Sequence, residues 1–363
     1  MRLSKLETLE AIALIVIIMA NKIILNLPKS IITSTGSAGW LNSIYVSLIA
    51  ILFAYVVTRL FKNFSGQDIL DVSNYLGGKF LKASVGILYI LFFIIICILI
   101  IRNFSETLKI IYFTTSPIIF LILFFVIAAC ITNKFGIKVI SKINLIIAPA
   151  VFISIFVIFF STIKNFIPQR LFPILGYGVN ETFFSGLTNL FGFTGLAYLL
   201  FLQPLLKNNK DFKKISIISF VISSILLCLS VTCLLLVFSF VIDANENVSI
   251  YLLTRMVRYG DVIQRVNALF IFIWILSIIS YISITLFFAT HITKKLTNLT
   301  NTNTLTYCYG SIILAVTMLF QDFAGFLAVF EKTFRITSLI LIFGISILIL
   351  ILANLKYKFL KKK

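Results

Sequence analysis

The sequence is poor in the groups that do chemistry: one histidine and 12 carboxylates in 363 residues, with charged residues at only 12% of the total. Soluble domains carry about 25% charged residues, so the chain lacks a water-facing surface of ordinary size. His291 stands alone, which excludes a multi-histidine metal cluster, and no triad partner stands at a recognisable spacing from it; it is read as a surface residue at the inner end of an apolar run. The five cysteines, Cys97, Cys130, Cys228, Cys233 and Cys308, show no metal-ligand spacing. Four lie within apolar runs, where a thiol behaves as a small hydrophobe. No metal, no cofactor and no enzymatic site is expected, because no carboxylate pairs with His291 or a cysteine in a recognisable spacing. Six prolines and 16 glycines are too few for a disordered or collagen-like chain.

What the chain has is apolar length. Hydrophobic residues make up 60% of it, 38 of them phenylalanine, and the mean hydropathy is +1.11. At about 20 apolar residues per crossing, the sequence reads as ten membrane spans over residues 8–35, 40–60, 80–108, 116–132, 137–162, 183–206, 214–242, 262–292, 306–322 and 333–355. The formal charge of +19 does not point to nucleic acid, because the charges lie in short clusters between apolar runs. With both termini inside, 20 Lys/Arg fall in inner segments and nine in outer ones, the bias that orients membrane proteins. Glu7 and Glu10 precede the first run and no small-residue cleavage site follows, so the first helix is expected to remain in the mature protein.

Two connections look structured. Ser65 with Asp68 three residues on reads as a helix start, and Gly77-Gly78 as its stop, giving a short helix at the inner surface. The outer segment Ser249–Tyr259, ending at Gly260, reads as an interfacial helix or a lid.

Helices interrupted at corresponding positions of two halves expose amides and carbonyls inside the bilayer, where they can hold a ligand. The first span carries Asn21, Lys22, Asn26 and Pro28 near its middle, and the sixth carries Phe191-Gly192-Phe193-Thr194-Gly195. These are matching positions if the chain is two five-helix halves, about 8–162 and 183–355, of one polytopic domain spanning 1–363. The glycines can equally serve close helix packing. An ammonium at a helix centre costs about 2.5–3.5 kcal/mol, so Lys22 should face protein or water, as a proton carrier or a stand-in for a bound cation, unless a shifted helix lets it reach outward beside Lys29. The candidate ligand-binding residues are therefore Asn21, Lys22, Ile23, Ile24, Tyr89, Gly192, Phe193, Thr194 and Gly195. The candidate ion or proton site is Lys22, Ser280 and Ser283. Each hydroxyl, like that of Thr285, can as readily bond to its own helix backbone.

Several stretches together resemble the spore germination permease family, the membrane-embedded B subunits of nutrient germinant receptors within the amino acid–polyamine–organocation superfamily. Arg255-Met256-Val257-Arg258, followed by Gln264-Arg265, Phe270 and Trp274-Ile275-Leu276, is similar to that family's passage from an outer arginine segment into a helix. Leu27-Pro28 with Gly39-Trp40, Phe172-Pro173-Ile174-Leu175 with Gly178, and Gly195 through Pro204 with Lys207 to Lys214 resemble three further junctions. The resemblance implies ten helices in a 5+5 inverted repeat of the leucine-transporter type, with helices one and six discontinuous. It also implies the inner spore membrane, A-type and C-type subunits as partners beside the lipid bilayer, and a small nutrient, such as an amino acid, held between helices one, three, six and eight. An ion- or proton-coupled amino acid permease is the alternative. Two departures stand out: Asn21-Lys22-Ile23-Ile24-Leu25 replaces a glycine-containing G-x-G-I-L stretch, and Ala197 stands where family members often carry an acid.

Overall fold

A computed structural model describes residues 5–238, 253–254, 266–297, 299, 302–319 and 332–362. The outer segment around Ser249–Tyr259 and the Arg255–Arg265 stretch lie almost wholly outside the described residues. Among those described, the chain is helical throughout, with no strand beyond one bridge between Leu6 and Leu206. The helices are α1 (Thr8–Leu25), α2 (Leu27–Thr35), α3 (Gly39–Leu60), α4 (Ile69–Ile111), α5 (Ile118–Lys134) and α6 (Ile137–Thr162). They continue with α7 (Gly195–Leu199), α8 (Phe212–Val237), α9 (Val266–Thr297), α10 (Thr302–Leu319) and α11 (332–362), the last containing a π-turn at Ile340–Ile345. Seven of these stretches are long and apolar enough to cross a membrane, and two shorter apolar helices, Ile118–Lys134 and Asn303–Leu319, complete the pattern with the broken sixth span. The chain is a multi-pass membrane protein.

Spans one to three pack on their counterparts five further on. α3 packs on α8, α4 on α9, and α1–α2 on the sixth span. These are the contacts of two interlocked five-span halves, and they place spans one and six together at the centre. α1 is the most enclosed, with 83% of its apolar window buried.

The first break falls at Asn26 (φ −136°, ψ −5°), where α1 ends and α2 begins. Pro28 occupies the first turn of α2, where its missing N–H costs nothing. Asn21, Lys22, Ile23 and Ile24, read from sequence as part of the irregular stretch, instead continue α1. Without glycine between Ala20 and Leu25, nothing stops the helix before the proline removes a donor.

The sixth span departs further from a regular helix. Asn180–Phe184 are π-helical, Ser185–Phe193 form nine residues of 3-10 helix, and only Gly195–Leu199 are α. A 3-10 run longer than three or four residues is uncommon. This limb is held by side chains: Asn42 Nδ2 donates to the Thr182 carbonyl (2.7 Å), and Asn189 Nδ2 donates to Asn42 Oδ1 (2.9 Å) and Ser34 Oγ (3.2 Å).

At the end of the bundle that carries both termini, the helix start is Asp68, not Ser65. Asp68 accepts from the Leu70 and Asp71 amides at 3.0 Å each, and Asp71 accepts from the Asp68 amide (3.2 Å). A carboxylate satisfying two amides is a stronger cap than the serine three residues earlier. Gly77 and Gly78 break the helix as expected, Gly78 at φ 70°.

At the opposite end, the loop after α6 lies on the α2–α3 turn, where Ser37 Oγ donates to the Pro173 carbonyl (2.6 Å). Gly176, at φ 54°, lies so close that an added Cβ would collide with the Thr35 carbonyl. Gly176→Ala is expected to cost about 1–3 kcal/mol through overpacking and an unfavourable φ, measurable as a lower melting temperature in detergent.

Candidate functional site

Lys22 marks the meeting point of spans one and six. It is 9% exposed, and its Nζ donates to the Phe191 carbonyl (3.1 Å) and to Thr194 Oγ1. The ammonium also lies 4.1 Å from the centroid of the Phe191 ring, a favourable cation–π position. Lys22 thus turns into the protein. Its acceptors exist because the sixth span is irregular there: Thr194 sits at the change from 3-10 to α, with φ −64° and ψ 0°.

Gly192 and Gly195 let the two spans approach. A Cβ on Gly192 would collide with Leu27, and one on Gly195 would lie 3.0 Å from Met19 Cγ. Close packing and the break therefore occur together. Phe193 is buried against Phe220, at 5.8 Å between ring centroids, on the side of α8.

The other predicted residues have different partners. Tyr89 bonds to Ser346 Oγ (2.6 Å) and packs edge-on to Phe201 at 4.9 Å. It belongs to a layer with Phe92, Phe93, Tyr198, Phe201 and Phe288, toward the end of the bundle that carries both termini. Asn21 Nδ2 donates to the Ile17 carbonyl (2.9 Å), the Ser277 carbonyl (3.2 Å) and Ser277 Oγ (2.8 Å), so its side chain faces α9. Ser280 donates to Asn144 Oδ1 (2.5 Å) and Ser283 to its own helix at Ile279 (2.7 Å). Lys22 and the two serines are thus engaged separately.

Sequence reasoning placed Phe191 at the sixth-span break without a role, and missed Arg335 and the asparagines Asn42, Asn144 and Asn189. Arg335 of α11 donates to Ser30 Oγ (2.7 Å), and its guanidinium carbon lies 5.5 Å from the Phe191 centroid. Phe334 meets the Phe191 ring at 6.1 Å and stacks on Phe92 at 5.8 Å. One ring thus carries an ammonium from span one and a guanidinium from span ten. Asn42, Asn144 and Asn189, each inside an apolar run, were the readable signal, since polar side chains in membrane spans are costly unless they serve structure or function.

The end carrying the termini is closed by polar ties. Lys295 reaches Asp68 Oδ2 and Asp71 Oδ2 at 2.6 Å each, and Lys138 pairs with Glu10 at 2.9 Å. The amide of Leu6 donates to Leu205 (2.7 Å), and that of Ile69 to Leu200 (3.0 Å). Burial pushes the Asp68 carboxyl up, against the pull of Lys295.

The sequence profile of the family described as "Spore germination protein" matches residues 5–325. Among solved structures, the fold is similar to MhsT in complex with L-phenylalanine (13% identity, TM-score 0.69, covering 93% of this chain and 87% of that one). It is also similar to Mhp1, a nucleobase-cation-symport-1 family transporter with bromovinylhydantoin bound (13%, 0.65, 95% and 78%). A variant of the Eremococcus coleocola manganese transporter matches at 14%, with a TM-score of 0.57 over 95% and 77% of the two chains. No curated protein sequence matches this one. The ten-span, 5+5 architecture with helices one and six discontinuous is thus that of the leucine-transporter type.

Proposed function

This chain belongs to the spore germination protein family, and on that premise we propose that it is the membrane subunit of a nutrient germinant receptor. In this reading a small nutrient, such as an amino acid, binds at the midplane between spans one, three, six and eight. The protein lies in the inner spore membrane with both termini inside and works with A-type and C-type subunits. Its repeats run over about 8–162 and 183–355.

The observation that carries the reading is the hold of Lys22 on the Phe191 carbonyl and Thr194 hydroxyl. A ligand carboxylate makes a charge-assisted bond to an ammonium, roughly twice as strong as its neutral counterpart. Exchange of partners would release the break in span six, and ligand binding would then favour one of two arrangements, as signalling requires. Asn21, Ile23, Ile24, Phe193, Gly192 and Gly195 shape this junction through the packing of spans one and six. Tyr89 bounds it from the layer below.

Spores lacking the gene are expected to lose germination to particular amino acids while vegetative cells take up the same labelled compounds normally. Normal germination with reduced uptake would instead establish the permease, the reading favoured by the L-phenylalanine bound to MhsT and the bromovinylhydantoin bound to the transporter Mhp1.

A further inference from the structure

A groove of about 200 Å³ opens on the membrane-facing side between α6 and α8, near the end of the bundle opposite the termini. Its walls are Phe156, Phe159 and Phe160 of α6 and Leu229, Cys233 and Leu236 of α8, and Phe166 roofs it. Phe156 and Phe160 stack on one another at 6.4 Å, so one wall is a flat aromatic face. Inside, the Thr162 hydroxyl and the Cys233 thiol satisfy each other at 3.5 Å, which leaves the lining apolar.

The roof is built, and it is basic. After α6 the chain turns through Ile163–Asn165 and Pro168–Leu171 and crosses to α8, where the Ile167 amide donates to the Leu236 carbonyl (3.0 Å). The Arg170 guanidinium donates to the carbonyls of Leu236 and Val237 at the end of α8. A cation is thus anchored on a residue that lines the groove. Lys164, exposed on the same turn, follows the lining residue Ile163 directly. Among the described residues, no carboxylate forms an ion pair with either cation.

We propose that this groove is a binding site for an anionic phospholipid of the leaflet opposite the termini. One acyl chain lies along the aromatic wall under Phe166, and the phosphate lies between Lys164 and Arg170. The charge at the roof selects this occupant over neutral lipid, because a basic residue near the membrane surface strengthens anionic-lipid binding by about fivefold.

The test uses the full chain in nanodiscs containing phosphatidylglycerol or phosphatidylcholine with a photoreactive group in the acyl chain. Labelled peptides are mapped by mass spectrometry. Phosphatidylglycerol is expected to label residues 156–166 and 229–236 at least fivefold more than phosphatidylcholine. Lys164→Gln should reduce that preference about fivefold and Lys164→Arg restore it, with the melting temperature of both variants unchanged. Thr232 of α8 also lines the groove, so Thr232→Phe, which fills it, should abolish labelling there and leave it elsewhere. Equal labelling by the two lipids, or a preference indifferent to Lys164→Gln, overturns the proposal. So does a groove that, in membranes holding the A-type and C-type subunits, cross-links to a subunit in place of lipid.

Discussion

Lys295→Met is expected to lower stability by about 2–4 kcal/mol. Lys295 holds two carboxylates at 2.6 Å, one of them on Asp68, whose side chain is wholly buried. Removing one partner of a buried pair costs about 3–5 kcal/mol because the remaining charge is left uncompensated. The range is reduced here because Lys295 is 25% and Asp71 33% exposed. Asp68 cannot leave the interior, since its oxygen also caps α4 through the Leu70 and Asp71 amides.

Two further measurements separate this account from mere loss of packing. Burial already raises the Asp68 carboxyl, and losing the lysine raises it further. The folded variant then holds a proton at pH values where the unfolded chain has released it. Its stability therefore rises as pH falls toward and through the raised value, and the deficit against the parent narrows in acid. Asp68→Asn added to Lys295→Met should recover most of the loss at neutral pH, because asparagine caps a helix as well as aspartate does. Thermal melts in detergent between pH 5 and 8 read all three proteins. A deficit independent of pH would show that the charges are not its cause.

Lys22→Met is expected to do the reverse: weaken the response and spare the protein. The substitution keeps a flexible apolar stem within α1 and leaves behind a carbonyl and a hydroxyl, both neutral. Protein amount in the membrane should be unchanged. If the ammonium holds the ligand, the nutrient concentration giving half-maximal germination should rise about 10- to 100-fold, the equivalent of one hydrogen bond to a charged group. Lys22→Arg, which keeps the charge on a longer and planar head, should fall between. Germination of spores carrying each allele, with subunit amount measured by immunoblot, decides the matter. An unaltered response in Lys22→Met would remove Lys22 from the binding site.

The span count was legible because each apolar run is long and its charged breaks are sharp. The pairing of spans one and six was legible from Pro28 and from Gly192 and Gly195. What the sequence hid was pitch. Ile23, Ile24 and Leu25 neither favour nor forbid a break, so the end of α1 at Asn26 is decided by Pro28 two residues on. Nine residues of 3-10 helix leave no periodic signature when Asn42, from another span, holds Asn189 and the Thr182 carbonyl. Arg335 was invisible for the same reason, since its partners Ser30 and Phe191 are far away in sequence. The helix start moved from Ser65 to Asp68 because both satisfy the same spacing rule, and the two amides that Asp68 accepts, with Lys295 beside it, distinguish them.

The 3-10 limb Ser185–Phe193 has a mechanical consequence. A 3-10 helix rises about 2.0 Å per residue and an α-helix about 1.5 Å, so rewinding nine residues shortens the limb by about 4–5 Å. The step from 120° to 100° per residue would also turn one end by roughly half a revolution relative to the other. Each backbone donor would exchange one carbonyl for its neighbour, with little net change in hydrogen bonding. The limb holds the longer pitch, and because Thr194 at its base is gripped by Lys22, any change of pitch would turn against that bond.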